Sequence, residues 1–382
     1  MKKIIIILVY TIIFFNSNVL SKEKNNILKV GLLAPLNGDY KELGNSLLYS
    51  LQLALEEIGD ENISIIPRDA GINDKNKLNS AIQDIKSQGA NIIIGPLHFE
   101  EFEQAKQYND IIFISPSNIS PVFSNNIISV GISLESQLIS LSNFINKQKK
   151  KKTLIMYPKN KYTDFIQNKL KIINLNYKSF IYNPNPEVLT GEIEKITNYS
   201  QRKRNLELRK KMFEDKEDPQ SIKELEKLEQ LYTLGDVDFD SVIIIDFGSN
   251  LKSVLTSLIY ADVNQKKVLF TTINQWFDES IFYENTIQSL YYPSINYNEF
   301  KKYNKNYYSR FKSYPNEITI LAYDALGLIY YAWKTNDEIK SINDFSFKNK
   351  IKGKIGTFSF KDKKVIQELN IYRVKDNKFT KF

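Results

Sequence analysis

The sequence predicts an α/β protein built as two doubly wound, Rossmann-like lobes. Three observations carry that prediction. Residues 91–121 (NIIIGPLHFEEFEQAKQYNDIIFISPSNISP) contain a strand, a helix and a strand within about 25 residues, a βαβ unit whose chirality and length imply parallel pairing. The same alternation begins again after Ile132, which calls for a second series of strands. At 382 residues the chain is long enough for two full cores.

The elements follow in order. Residues 28–35 (LKVGLLAP) form a first strand, with its turn at Leu36-Asn37-Gly38-Asp39. Leu43, Leu47, Leu48, Leu51, Ala54, Leu55 and Ile58 then recur at helical spacing on one stripe. Residues 63–67 are a second strand, closed by Arg68-Asp69-Ala70-Gly71; Leu78, Ala81, Ile82 and Ile85 mark a helix that Gly89 ends. Ile92-Ile93-Ile94 is too short for a helix and is bounded by Gly95-Pro96, so it reads as a buried strand. A helix over 99–108, a strand over 111–114 and another over 127–131 complete the first series. The second series has a helix near 135–146, a strand at 153–157, a helix around 163–173 and a strand at 177–182. It resumes with a strand at 241–245, a helix at 251–260 and a strand at 267–271.

Between these halves of the second series, residues 198–236 are almost continuously charged. Arg202, Lys203, Arg204, Arg209, Lys210 and Lys211 precede Asp218-Pro219, a helix cap and first-turn pair, and Ile222, Leu225, Leu228 and Leu231 follow it. The segment reads as an inserted helical hairpin, either a solvated appendage or a partner-binding arm. Leu290-Tyr291-Tyr292-Pro293 is expected to return to the first lobe, followed by packing helices at 298–313 and 318–333. The tail, 353–374, alternates as a β-hairpin (IGTFSF, then LNIYRV) around Lys361-Asp362. The expected lobes are therefore 28–131 plus 290–336, and 132–289 plus 337–382, joined by about three crossovers.

Composition narrows the function classes. Cysteine is absent, which excludes disulfides, thiolate metal sites, a Cys nucleophile and a lipidated cysteine. The single His98 lies beside Glu100 and Glu101 without a recognised metal spacing. Lys2 and Lys3 precede an apolar run over 4–15, too short to span a bilayer comfortably, so residues 1–21 read as a signal peptide with cleavage near Ser21. The alternative is an uncleaved inner-membrane anchor. No later segment is apolar enough for a span. Net charge is +8, scattered rather than striped, and export also argues against nucleic acid. There is no G-x-S-x-G, P-loop or His-supported triad, so no enzyme activity and no cofactor are expected.

In open parallel sheets, ligands sit beyond the carboxyl ends of the strands. That rule nominates Gly95, Pro96, Leu97, Ser117 and Asn118 as a cleft rim. Asp69, at a strand end, is either a ligand acceptor or a turn cap. Phe247, ahead of a Gly248 turn, and Trp276 in INQWFDES are further cleft candidates, with core packing the other reading for Trp276.

Export, three crossings, KVGLLAPLNGDYKELG, IIIGPL, ISPSNISP and ITILAYDALGLIYYAW together resemble the type I periplasmic binding proteins, closest to their leucine/isoleucine/valine-binding branch. Within it, FDSVIIIDFGSNLKSVLTSLIYADVNQKKVLFTTINQWFDES and the GPL and Ser-Asn strand ends resemble the penicillin-binding protein activators, regulators of peptidoglycan synthases. The resemblance implies that Tyr40 and Tyr162 line the cleft and that Ser117 is a contact position. It also implies either a cell-wall synthase partner or, as a solute receptor, a small ligand and an ABC permease. In the amino-acid binders a small hydroxyl residue after the GP turn holds the ligand carboxylate. Here His98, Phe99, Glu100 and Glu101 stand instead, and the acids neutralise the positive helix end that would attract an anion.

Overall fold

The computed structural model describes residues 27–117, 126–274, 289–316, 318–361, 364–375 and 378–382. The proposed signal segment, Asn118 and Trp276 lie outside the described residues.

The first sheet contains β1 (Leu28–Ala34), β2 (Ile63–Asp69), β3 (Ile92–Ile94), β4 (Ile112–Ser115) and β5 (Ile127–Ser129), all parallel in the order β2-β1-β3-β4-β5. Its central strands are continuous apolar runs because helices cover both faces. Helix α1 (Lys41–Ile58) buries Leu47, Leu51 and Ala54 from the stripe that its sequence predicts. Helix α2 (Lys75–Ser87) buries Leu78, Ala81, Ile82 and Ile85 and starts where the Asp74 carboxylate accepts from the Asn76 and Lys77 N–H groups. A single 3₁₀ turn and the short α3 (Phe102–Ala105) stand where a longer helix over 99–108 is predicted.

The second lobe begins at α4 (Leu134–Lys147), which Ser133 caps. It continues through β6 (Thr153–Pro158), α5 (Thr163–Leu170), β7 (Tyr177–Tyr182) and α6 (Pro186–Ile196). The charged insertion is a helical hairpin of α7 (Tyr199–Lys211) and α8 (Pro219–Glu229), with Asp218 capping α8 and Pro219 in its first turn. Arg202 ties the hairpin down. It is 5% exposed and donates to the carbonyls of Thr197 (3.0 Å), Asp262 (3.1 Å) and Ala261 and to Thr233 Oγ1 (2.9 Å). The chain then runs through β8 (Ser241–Ile244), α9 (Gly248–Tyr260), β9 (Leu269–Thr272) and β10 (Leu290–Ser294).

Two expectations about the C-terminal third are corrected. Strand β10 does not return to the first sheet; it pairs parallel with β9 in the second. Its aromatic residues decide the location, because Tyr292 lies 6.0 Å from the Tyr372 ring and Tyr291 lies 5.1 Å from Phe144, both in the second lobe. Helices α10 (Tyr297–Phe311) and α11 (Thr319–Asn336) then pack on α1, with Ser50 Oγ donating to the Thr319 carbonyl at 2.6 Å.

The tail is also divided differently from the prediction. A small antiparallel sheet, β11 (Ile351–Lys352), β12 (Thr357–Lys361) and β13 (Lys364–Glu368), places Ile355, Phe358 and Val365 in the first lobe's core. Strand β14 (Asn370–Lys375) leaves that hairpin and pairs antiparallel with β10, followed by β15 (Lys378–Lys381). The second sheet therefore reads β15-β14-β10-β9-β8-β6-β7. The chain crosses between lobes after β5, after β10 and after β13.

Asp324 of α11 joins the small sheet to the helices. Its carboxylate is 6% exposed and accepts from the Lys354 N–H (2.8 Å) and the Ile355 N–H (2.9 Å). A Cβ on Gly353 would lie 2.5 Å from Asp324 Oδ2, so only glycine admits this approach. Burial pushes the carboxyl up to about 6 from an ordinary 3.8. A raised acid binds its proton more tightly when folded. Its contribution is therefore complete below about 3.8 and is lost as pH rises through about 6, a difference of roughly 3 kcal/mol. Urea titrations should show the wild type losing stability between pH 4 and 7 more steeply than Asp324→Asn by about that amount.

Candidate functional site

The carboxyl edge of the first sheet is a self-bonded rim. Asp69 ends β2, and its carboxylate accepts from Leu36 N (3.0 Å), Asn37 Nδ2 (3.1 Å), Gly71 N (3.2 Å) and Lys77 Nζ (3.2 Å). Burial pushes its pKa up, but these bonds outweigh burial and hold it below the usual carboxylate range. The turn that carries Tyr40 is thereby anchored, and Tyr40 itself is 55% exposed. Gly95 has φ +122°, and a Cβ there would stand 2.9 Å from Leu33 Cβ. Its N–H donates to the Ile114 carbonyl.

From Pro96 a serine relay runs across the rim. Ser115 Oγ donates to the Pro96 carbonyl (2.5 Å), Ser117 N donates to Ser115 Oγ (3.1 Å), and Ser129 Oγ donates to the Ser117 carbonyl (2.6 Å). Ser115, Ser117 and Ser129 are all buried. Gly131 presses on the same carbonyl: a Cβ there would fall 2.1 Å from the Ser117 oxygen.

Glu101 follows the GP turn. It is 8% exposed, and its carboxylate accepts from the N–H groups of Asn73 (3.1 Å) and His98 (3.4 Å). Burial pushes its pKa up, and the two N–H groups counter it in part. The backbone donors beside the turn are thus held by a carboxylate of the chain itself.

On the second sheet, Tyr162 and Phe247 stand at the carboxyl ends of the neighbouring strands β6 and β8 and are 50% and 53% exposed. Behind Phe247, Asp246 is buried; it accepts from the Tyr182 hydroxyl and from the Phe247 N–H at 2.8 Å. Burial raises the pKa of both Asp246 and Tyr182.

The crossings are stapled together by buried amides. Gln367 N donates to Ser136 Oγ at 3.0 Å, and Gln367 Nε2 donates to the Val130 carbonyl. Asn274 N donates to Gln137 Oε1 (2.7 Å), and Ser294 Oγ donates to Asn274 Oδ1 (3.1 Å). The carboxyl edges of β5 and β10 both lead into these crossings. Leu28 begins β1 at the far edge of the first sheet, and Asp240 leads from the insertion into β8 at the far edge of the second.

One parallel sheet and one mostly parallel sheet, joined by three crossings into which the carboxyl ends of β5 and β10 lead, define one architecture. The fold is that of the type I periplasmic binding proteins. Solved structures of this fold match over nearly the whole chain. The C-domain of LpoA from Haemophilus influenzae, a regulator of PBP1A, is 15% identical with a TM-score of 0.61, covering 93% of this chain and 99% of that one. The leucine-binding protein LivK from Thermotoga maritima is 12% identical with a TM-score of 0.55, covering 93% and 98%. An ABC transporter substrate-binding protein from Desulfitobacterium hafniense, in complex with Leu, is 14% identical with a TM-score of 0.58, covering 93% and 99%. No family model and no curated protein sequence matches the chain.

In this binding-protein frame, Asp69, Gly95, Pro96, Leu97 and Ser117 share the first lobe's carboxyl edge, with Tyr40 at the head of α1. Tyr162 and Phe247 share the second lobe's edge. Sequence reasoning missed the Asp246–Tyr182 pair and the stapling amides Gln137, Asn274 and Gln367. The only signal for Asp246 is an acid directly after the buried run 241–245.

Proposed function

We propose that this protein is a non-enzymatic periplasmic regulator of peptidoglycan synthesis that contacts a cell-wall synthase. The observation that carries the reading is Glu101. In an amino-acid receptor a small hydroxyl residue after the GP turn helps hold the ligand carboxylate, whereas here that stretch carries Glu101, whose own buried carboxylate takes the Asn73 and His98 N–H groups. A second carboxylate at that place would meet a like charge in a poorly solvated site. The likeness to a PBP1A regulator supports the same direction. Tyr40, Tyr162 and Phe247 supply exposed aromatic surface, the composition favoured at protein interfaces. We assign them, with the hairpin over 198–236, to partner contact.

A receptor for amino acids, delivering to an ABC permease, is the second reading, supported by the leucine-bound neighbour. Thermal-shift measurements separate the two. Leucine, isoleucine and valine at millimolar concentration should leave Tm unchanged, whereas ligand at a hundredfold excess over Kd would add about 2.7 kcal/mol of stability. A concentration-dependent rise with any of them overturns the regulator reading. In parallel, the chain should retain a peptidoglycan synthase in pull-down, and deletion of residues 198–236 should lose it.

A further inference from the structure

The first lobe carries a groove of about 570 Å³ along α11, bounded by α1 and the loop after β11. A second hollow of about 410 Å³ adjoins it, and both are lined by Glu57, Glu299, Tyr323 and Lys354. Together they make an elongated trough, each part within the ~300–1,000 Å³ typical of small-molecule sites.

The floor of the trough is Gly327, near the middle of an 18-residue helix. Glycine there disfavours the helix relative to alanine. The packing does not require it, because a Cβ at Gly327 would meet nothing within 4 Å. Tyr323 and Tyr331 stand one turn to either side and line the same groove, Tyr331 being 44% exposed. Most of the nearby charges are matched: Glu57 with Lys354, Asp60 with Lys334 and Glu299 with Lys302, each at 2.8 Å, and Lys352 is the groove's lining cation outside these pairs. An anion would need uncompensated cations to hold it. What the trough offers is ring surface beside fixed hydrogen-bonding groups with little net charge.

We propose that this trough is a carbohydrate-binding site, in which Gly327 keeps the floor open and the tyrosines pack against the C–H faces of a sugar. Aromatic rings present broad apolar surface with a polar edge, which matches a ligand that is apolar on its ring faces and hydroxylated around its rim. The two adjoining hollows suit an oligosaccharide rather than a single sugar. The inference is independent of the synthase reading, since it concerns the outer face of one lobe.

Isothermal titration of the full chain with chitotetraose and with cellotetraose tests it. Saturable binding of at least one is expected. Gly327→Leu should weaken that binding at least tenfold, and Tyr331→Ser should weaken it also. Gly327→Ala should raise Tm by about 1 °C through helix propensity. Binding of neither oligosaccharide overturns the proposal, as does binding that survives both Gly327→Leu and Tyr331→Ser in folded protein. A fall in Tm for Gly327→Ala would assign the glycine to packing and overturn it equally.

Discussion

Gly131→Ala should destabilise the protein by about 3 kcal/mol or more, at the upper end of overpacking substitutions. The added methyl would stand 2.1 Å from the Ser117 oxygen and 2.4 Å from its carbonyl carbon, and both atoms are backbone. No rotamer change can relieve such an overlap. The backbone must shift, and with it go the bond from Ser129 Oγ to the same carbonyl and the Ser115 link to Pro96. Gly131 also lies in the first crossing, so the displacement should reach Val130, whose carbonyl accepts from Gln367. Denaturant titration gives the loss directly. Hydrogen exchange should locate it, with faster exchange at Val130, whose N–H donates to the Ser115 carbonyl. A variant within 1 kcal/mol of wild type would show that the rim is not held as described.

Arg202→Met should release the inserted hairpin while leaving both sheets intact. The buried guanidinium satisfies three carbonyls and the Thr233 hydroxyl, which in turn donates to Asp262 Oδ2 at 2.5 Å. Methionine fills some of the volume but leaves those acceptors without donors, at a cost of about 3 kcal/mol. The expected readout is trypsin cleavage at Lys203, Arg204 or Arg209 under conditions where the wild-type hairpin survives. Global unfolding without prior cleavage in the hairpin would instead place Arg202 in the lobe's own core.

Much of this architecture is legible in the sequence, for local reasons. Ile92-Ile93-Ile94 can only be a buried strand, and Leu47, Leu51 and Ala54 can only share a helical stripe. Asp218-Pro219 announces the second helix of the hairpin just as clearly. The lobe that receives a strand is another matter. Leu290 to Pro293 has the composition of a core strand in either sheet, and its place is fixed by Thr271 and Tyr372, the second of these about 80 residues downstream. The C-terminal alternation was likewise readable as strands but not as strands divided between two sheets. The described rim candidates of the first lobe lie at the carboxyl ends of its strands because the carboxyl-end rule depends only on chain direction. Their bonding was not legible: the Ser115–Pro96 and Ser129–Ser117 links join side chains to backbone across loops and leave no periodic trace. Glu101 was legible in sign, as an acid after the GP turn, but not in its contacts with Asn73 and His98.

The two far edges of the molecule have a geometric consequence. Leu28 begins β1 at the amino edge of the first sheet, and the hairpin is fastened by Arg202 to the Ala261 and Asp262 carbonyls, on the stretch that leads into the amino end of β9. On the proposed reading, a partner bound to the hairpin therefore meets the second lobe at its amino edge, the edge opposite the one that leads into the stapled crossings.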